Sequence, residues 1–115
     1  MKVAVIGSRD CKKLTTEAIL EHIPADCTHI ISGGAIGVDR LAKKAAELLS
    51  IPIIEFLPDY QTFGKTAPLV RNRKIISEAD FVLAFWDYQS SGTRHALVEA
   101  LKQEKKVKII MIQDE

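Results

Sequence analysis

The chain has 115 residues, 47% apolar and 27% charged, with a formal net charge of +1. This length suits one domain, and the near-neutral balance argues against extensive duplex contact, which needs a larger basic excess. No run approaches the ~18–20 apolar residues of a membrane span, and nothing after Met1 resembles a signal peptide, so a cytoplasmic protein with no membrane partner is expected.

Short β-branched runs alternate with helical patterns. Val3–Ile6 is the first run, and such continuous apolar stretches suit strands covered on both faces. A helix is expected over Thr15–Ile23, stopped by Pro24. Between it and the second strand, Thr28–Ile31, lies Cys27. With Cys11 it matches neither a CxxC motif nor a disulfide framework, and both read as free thiols of a reducing compartment. From Val38 to Ser50, residues Val38, Leu41, Ala42, Ala45, Leu48 and Leu49 follow helical spacing and predict one buried stripe. Ile51–Phe56 is the third strand. Pro58–Thr66 is the longest irregular stretch and a candidate lid or rim loop. A helix over Ala67–Ala79 carries Pro68 in its first turn. The strand Phe81–Phe85 follows, then a helix over Thr93–Glu104 expected to bury Ala96, Leu97, Ala100 and Leu101. The strand Val107–Ile112 is either an edge protected by Lys105, Lys106 and Lys108 or part of an interface.

Parallel strands need right-handed crossovers, which this strict alternation supplies. The expected fold is α/β, a Rossmann-like three-layer sandwich with five parallel strands in the order 3-2-1-4-5, formed by one domain over residues 1–115. That order leaves a switch point between the first and fourth strands, where ligands bind beyond the strands' carboxyl ends.

Three turns are expected there. Gly7-Ser8-Arg9 joins a glycine, a hydroxyl and a guanidinium suited to phosphate, or is a simple turn. Ser32-Gly33-Gly34-Ala35-Ile36-Gly37-Val38-Asp39 leads into the second helix, whose first N–H groups and dipole favour an anion. It is neither GxGxxG nor a Walker A loop. Asp39 either pairs with Lys43 or holds a ribose hydroxyl. Asp87-Tyr88-Gln89-Ser90-Ser91-Gly92-Thr93 repeats the device at the last helix. Arg71-Asn72-Arg73 is either a solvated helical face or points into the crevice, and Trp86 either stacks on a base or packs in the core. His22, His29 and His95 show no metal-ligand spacing, and no serine sits in a GxSxG elbow, so neither a metal nor another cofactor is expected.

Taken together, Gly7-Ser8-Arg9, the Ser32–Asp39 turn, Arg71-Asn72-Arg73-Lys74-Ile75, Ala79-Asp80-x-Val82 and Ser91-Gly92-Thr93 resemble the SMF/LOG-like (SLOG) superfamily of Rossmann-like domains, nearest its small YspA-like members. The resemblance implies binding or sensing of a nucleotide or nucleotide-derived ligand. Phosphate or ribose would sit on Gly33, Gly34, Gly37, Ser91, Gly92 and Thr93. A homodimer is compatible with it. Lonely-guy phosphoribohydrolases carry PGGxGTxxE; aligned on Gly92-Thr93, this chain has Ala96 at the catalytic glutamate, and a methyl group cannot act as acid or base. DNA-processing protein A is also similar and implies single-stranded DNA, but Ile36 stands where its turn carries an arginine.

The ligand-binding set expected is therefore Gly7, Ser8, Arg9, Ser32, Gly33, Gly34, Gly37, Asp39, Arg71, Asn72, Ser90, Ser91, Gly92 and Thr93, with a nucleotide-like small molecule as partner. The alternatives are a hydrolase or transferase acting on an N-glycosidic or phosphoester bond of nucleotides, with Asp39, Asp87 or Glu99 supplying a carboxylate, and a single-stranded nucleic-acid module.

Overall fold

The computed structural model describes residues 1–8, 13–34 and 37–112. Its strands are β1 (Lys2–Gly7), β2 (His29–Ser32), β3 (Ile53–Glu55), β4 (Phe81–Trp86) and β5 (Lys106–Met111). They form one sheet in the order β3-β2-β1-β4-β5, with every neighbouring pair parallel. The α/β alternation thus yields the Rossmann-like topology it predicts, with the switch point between β1 and β4.

The helices are α1 (Thr16–His22), α2 (Val38–Leu49), α3 (Tyr60–Phe63), α4 (Ala67–Glu78) and α5 (Ser91–Lys102). Alternation along β1 sends Val3 and Val5 to one face, where they pack with Ile19 of α1, Val38, Ala42 and Ala45 of α2, and Leu83 and Phe85 of β4. Ala4 and Ile6 go to the other face, against Ile75 and Ile76 of α4 and Ala96, Leu97 and Ala100 of α5. Burial of each large apolar side chain contributes roughly 1.5–3 kcal/mol, so the two central strands, covered on both faces, anchor the fold.

The ends of the elements follow local chemistry. Thr15 Oγ1 accepts the Ala18 N–H at 3.2 Å and opens α1. Ser50 takes the left-handed conformation after α2, and its N–H bonds back to the helix. At the base of the sheet, Asp80 Oδ2 accepts the Lys2 N–H at 2.8 Å, so this aspartate clamps β1 to the start of β4.

Three details differ from expectation. Leu48 and Leu49 are exposed, because the α2 stripe centres on Val38, Ala42, Ala45 and Ala46, whose small side chains let the helix lie close to the sheet. Leu101 is 71% exposed rather than buried, since β5 is an edge strand and, among the described residues, nothing covers that flank of α5. The 58–66 stretch holds the short α3, capped where Asp59 Oδ1 accepts the Thr62 N–H at 3.1 Å, and a 3-10 turn, Gly64–Thr66.

Candidate functional site

A cavity of about 480 Å³ opens at the carboxyl ends of β1 and β4. Its sides come from four places in the chain. Gly7 ends β1 and Ser8 follows it, Gly33 follows β2, and Asp39 lies in the first turn of α2. From α4 come Pro68, Leu69, Arg71, Asn72 and Ile75. The β4–α5 connection and the start of α5 add Asp87, Ser90, Ser91, Gly92, Thr93 and Ala96. Among the described residues, the structure therefore gathers ten of the expected positions into one crevice.

The α5 side is the simplest to read. Ser90 is the N-cap residue, and its side chain makes no capping bond to the first amides of the helix. Ser90 Oγ lies 3.4 Å from Thr93 Oγ1, and Thr93 is buried. An added Cβ at Gly92 would meet no atom within 4 Å, so no packing contact requires glycine there. Asp87 shapes this connection: its Oδ1 accepts the N–H of Ser90 at 2.8 Å and of Gln89 at 2.9 Å. Those two bonds, Ser90 first, hold the Asp87 carboxyl below the usual carboxylate range. Ser8, 2% exposed, accepts the Asp87 N–H on its Oγ at 3.4 Å and ties the β1 turn to the β4 turn.

The α4 side carries a polar bridge. Arg71 Nη1 donates to the Gly33 carbonyl and Arg71 Nε to Asn72 Oδ1, each at 3.0 Å. Asn72 Nδ2 donates to the Gly92 carbonyl at 3.4 Å and lies 3.4 Å from His95 Nδ1. One arginine–asparagine pair thus links the end of β2, α4 and the start of α5. Arg71 and Asn72 turn into the crevice, whereas Arg73 turns along the helix face to Glu99 at 3.9 Å.

The remaining expected residues have other positions. Ser32 is fully buried, and its Oγ accepts the Gly34 N–H at 3.3 Å, which holds the turn. Gly34 (φ +67°) sits against Glu55 and Leu57, and Gly37 (φ 77°) caps α2; both need the left-handed region, and neither borders the cavity. Gly7 borders it, yet its lack of a side chain answers a packing need: a Cβ would fall 2.5 Å from the Phe85 carbonyl and 2.6 Å from Val38 Cγ2. Arg9 lies outside the described residues, as do Ala35 and Ile36. Trp86 donates from Nε1 to the Ser90 carbonyl at 3.0 Å and stacks on Tyr88 at 4.6 Å, so its ring supports the α5 turn.

The apolar wall of Pro68, Leu69 and Ile75 was not singled out as ligand-facing, because helical periodicity assigns those residues to a core without showing where the sheet stops covering them. Among the described residues no group of three His, Cys, Asp or Glu side chains could hold a metal ion, and no helix is long and apolar enough to cross a membrane.

Comparison with known proteins places this geometry in context. The family model for DNA recombination-mediator protein A matches residues 1–59. Among solved structures, DNA processing protein A (DprA) from Streptococcus pneumoniae is similar with a TM-score of 0.77 and 21% identity over 94% of this chain and 49% of that one. The chain therefore spans about half the length of that structure. TM1055, a structural-genomics target, is similar with a TM-score of 0.68 and 18% identity over 92% of this chain and 71% of that one. No curated protein matches the chain significantly.

Proposed function

Because the chain belongs to the DNA recombination-mediator protein A family, as a small Rossmann-like domain of the SLOG type, we propose that its crevice binds a nucleotide or nucleotide-derived small molecule. The observation that carries this reading is the start of α5. Its N-cap residue Ser90 makes no side-chain cap bond, its first residues Ser91, Gly92 and Thr93 border the switch-point cavity, and an added Cβ at Gly92 would meet no atom within 4 Å. A phosphate seated there would take backbone N–H bonds and the favourable end of the helix dipole. Leu69, Pro68 and Ile75 offer apolar surface for a base, and Asp39 and Arg71, side by side at Gly33, are the charged residues beside it. Titration with AMP, ADP-ribose and NAD by calorimetry tests the reading; absence of heat for all three at millimolar ligand refutes it.

The family itself favours a second reading, a single-stranded DNA module. It predicts a shift of labelled oligonucleotide that weakens steeply with salt, with slope set by the phosphates neutralised. A shift that is absent, or insensitive to salt, removes it.

A hydrolase reading would need a carboxylate at the reacting bond. Ala96 borders the cavity where the related hydrolases carry their glutamate, and Glu99 is drawn towards Arg73. Among the described residues, Asp39 and Asp87 are the carboxylates that border the cavity, and release of free base from nucleoside monophosphates, lost on changing either to Ala, is the result that would favour catalysis.

A further inference from the structure

We propose that residues 59–66 form a strap that closes over the crevice and stacks the rings of Tyr60 and Phe63 on the planar base of a bound nucleoside phosphate. This rests on the crevice reading above and adds what holds the base. Three features of the strap support it.

The first is where it is tied. Its incoming end follows β3. There the Phe56 N–H donates to the Ser32 carbonyl at 3.0 Å, and Leu57 lies against Gly34, next to the Gly33 that borders the cavity. Its outgoing end is α4, whose Ala67 is buried and whose Pro68 and Leu69 border the same cavity. The strap thus leaves from one side of the crevice and returns on another.

The second is composition set against burial. Every residue from 59 to 66 is exposed, yet two of them are aromatic. Tyr60 is 59% and Phe63 38% exposed, and Leu57 just before them is 67% exposed. A connection built only to span two elements favours small polar residues, and neighbouring exposed apolar side chains mark a binding surface. Here they follow the rim of a cavity whose apolar wall of Pro68, Leu69 and Ile75 can cover one face of a flat base. Rings from the strap supply the second face.

The third is how the strap is held. The bonds that shape it are local. Asp59 Oδ1 accepts the Thr62 N–H at 3.1 Å, the Asp59 carbonyl accepts the Phe63 N–H at 3.0 Å, and Thr66 Oγ1 donates to the Phe63 carbonyl at 2.8 Å. Phe63 meets α4 through the Lys74 ammonium, 5.9 Å from the centre of its ring. Gly64, at φ +57°, joins α3 to the 3-10 turn, and a Cβ there would meet nothing within 4 Å. The strap therefore keeps its own shape, while a rotation at Gly64 crowds no neighbour, which is what a rim segment needs to close as a unit.

Calorimetry with AMP and with ribose 5-phosphate, which has the sugar and phosphate without the base, tests the stack. Y60A/F63A, at two exposed side chains, is expected to weaken AMP by about tenfold, the order of a lost stacking contact, and to leave ribose 5-phosphate unchanged. Tryptic cleavage after the exposed Lys65, followed by mass spectrometry, tests the closure. Saturating AMP is expected to slow it several-fold in wild type, whereas ribose 5-phosphate leaves it unchanged. Equal AMP affinity in wild type and Y60A/F63A, or an equal loss for both compounds, overturns the strap and leaves the crevice reading standing. Cleavage at Lys65 that is indifferent to bound AMP overturns the closure. Wild type that takes up neither compound removes the crevice reading, and the strap with it.

Discussion

Gly92 separates a glycine kept for a ligand from one kept for the fold. It lies in the first turn of α5 without positive φ, and a Cβ there meets nothing within 4 Å. Alanine at an unstrained position restricts the unfolded chain and stabilises by about 0.4–1 kcal/mol. For a chain of this size that is about 2–5 °C in Tm. The same methyl group stands at the mouth of the proposed phosphate seat. If it displaces one amide–phosphate bond, the loss is about 2 kcal/mol, or about 30-fold in Kd. Gly92→Ala is therefore expected to melt higher and bind weaker. Thermal unfolding by circular dichroism and calorimetric titration with AMP read the two effects on one sample. A variant that binds as tightly as wild type refutes the seat at α5. A variant that melts lower refutes the claim that the space beside Gly92 is empty.

Gly7→Ala should show the opposite pattern, a stability loss of about 1–3 kcal/mol in urea unfolding, because its Cβ meets the fixed Phe85 carbonyl as well as the buried Val38 side chain. Asp87 contributes to the folded state in its charged form, so its contribution is complete above the ordinary carboxylate value of about 3.9 and is lost as pH falls through its lowered folded value. Melting temperature should thus be insensitive to Asp87 between about pH 5 and 8, and Asp87→Ala should remove its share of the acid-side loss. Burial, partly offset by the His29 carbonyl, pushes the Cys27 thiol up. In a Cys11→Ser background, iodoacetamide should modify Cys27 several-fold more slowly than free cysteine at pH 8, and at the free rate in denaturant.

The strand order was legible because five β-branched runs separated by helical spacing leave few right-handed arrangements. The gathering of Ser8, Gly33 and Gly92 followed from that order, since all lie beyond carboxyl ends near the switch point, whereas Asn72, midway along α4, was left open between the crevice and a solvated face. What each residue does there was less legible. Gly7 looks like a ligand-facing glycine until β4 is placed beside it, and its constraint comes from Phe85, far along the chain. Asp87 reads as one polar residue among seven, whereas its carboxylate organises the turn. Periodicity marks Leu48 and Leu101 as apolar-face residues, but it carries no information on where the neighbouring layer ends. Arg71 and Arg73 are equivalent in sequence and separate only through their partners, the Gly33 carbonyl and Glu99.

The two helix beginnings near the crevice are not equivalent, and the difference constrains the proposed ligand. α5 brings the residues of its first turn, Ser91, Gly92 and Thr93, to the cavity. α2 starts at Gly37, off the cavity wall, and contributes the Asp39 carboxylate instead. Beside it the Gly33 carbonyl is already engaged by Arg71. The side of the crevice beside Gly33 thus brings the Asp39 carboxylate and the Arg71 guanidinium together, so opposite charges meet there. At the start of α5, by contrast, a helix beginning favours an anion. On this reading the glycine-rich turn after β2 shapes the crevice and sets its polarity, and the phosphate belongs to α5.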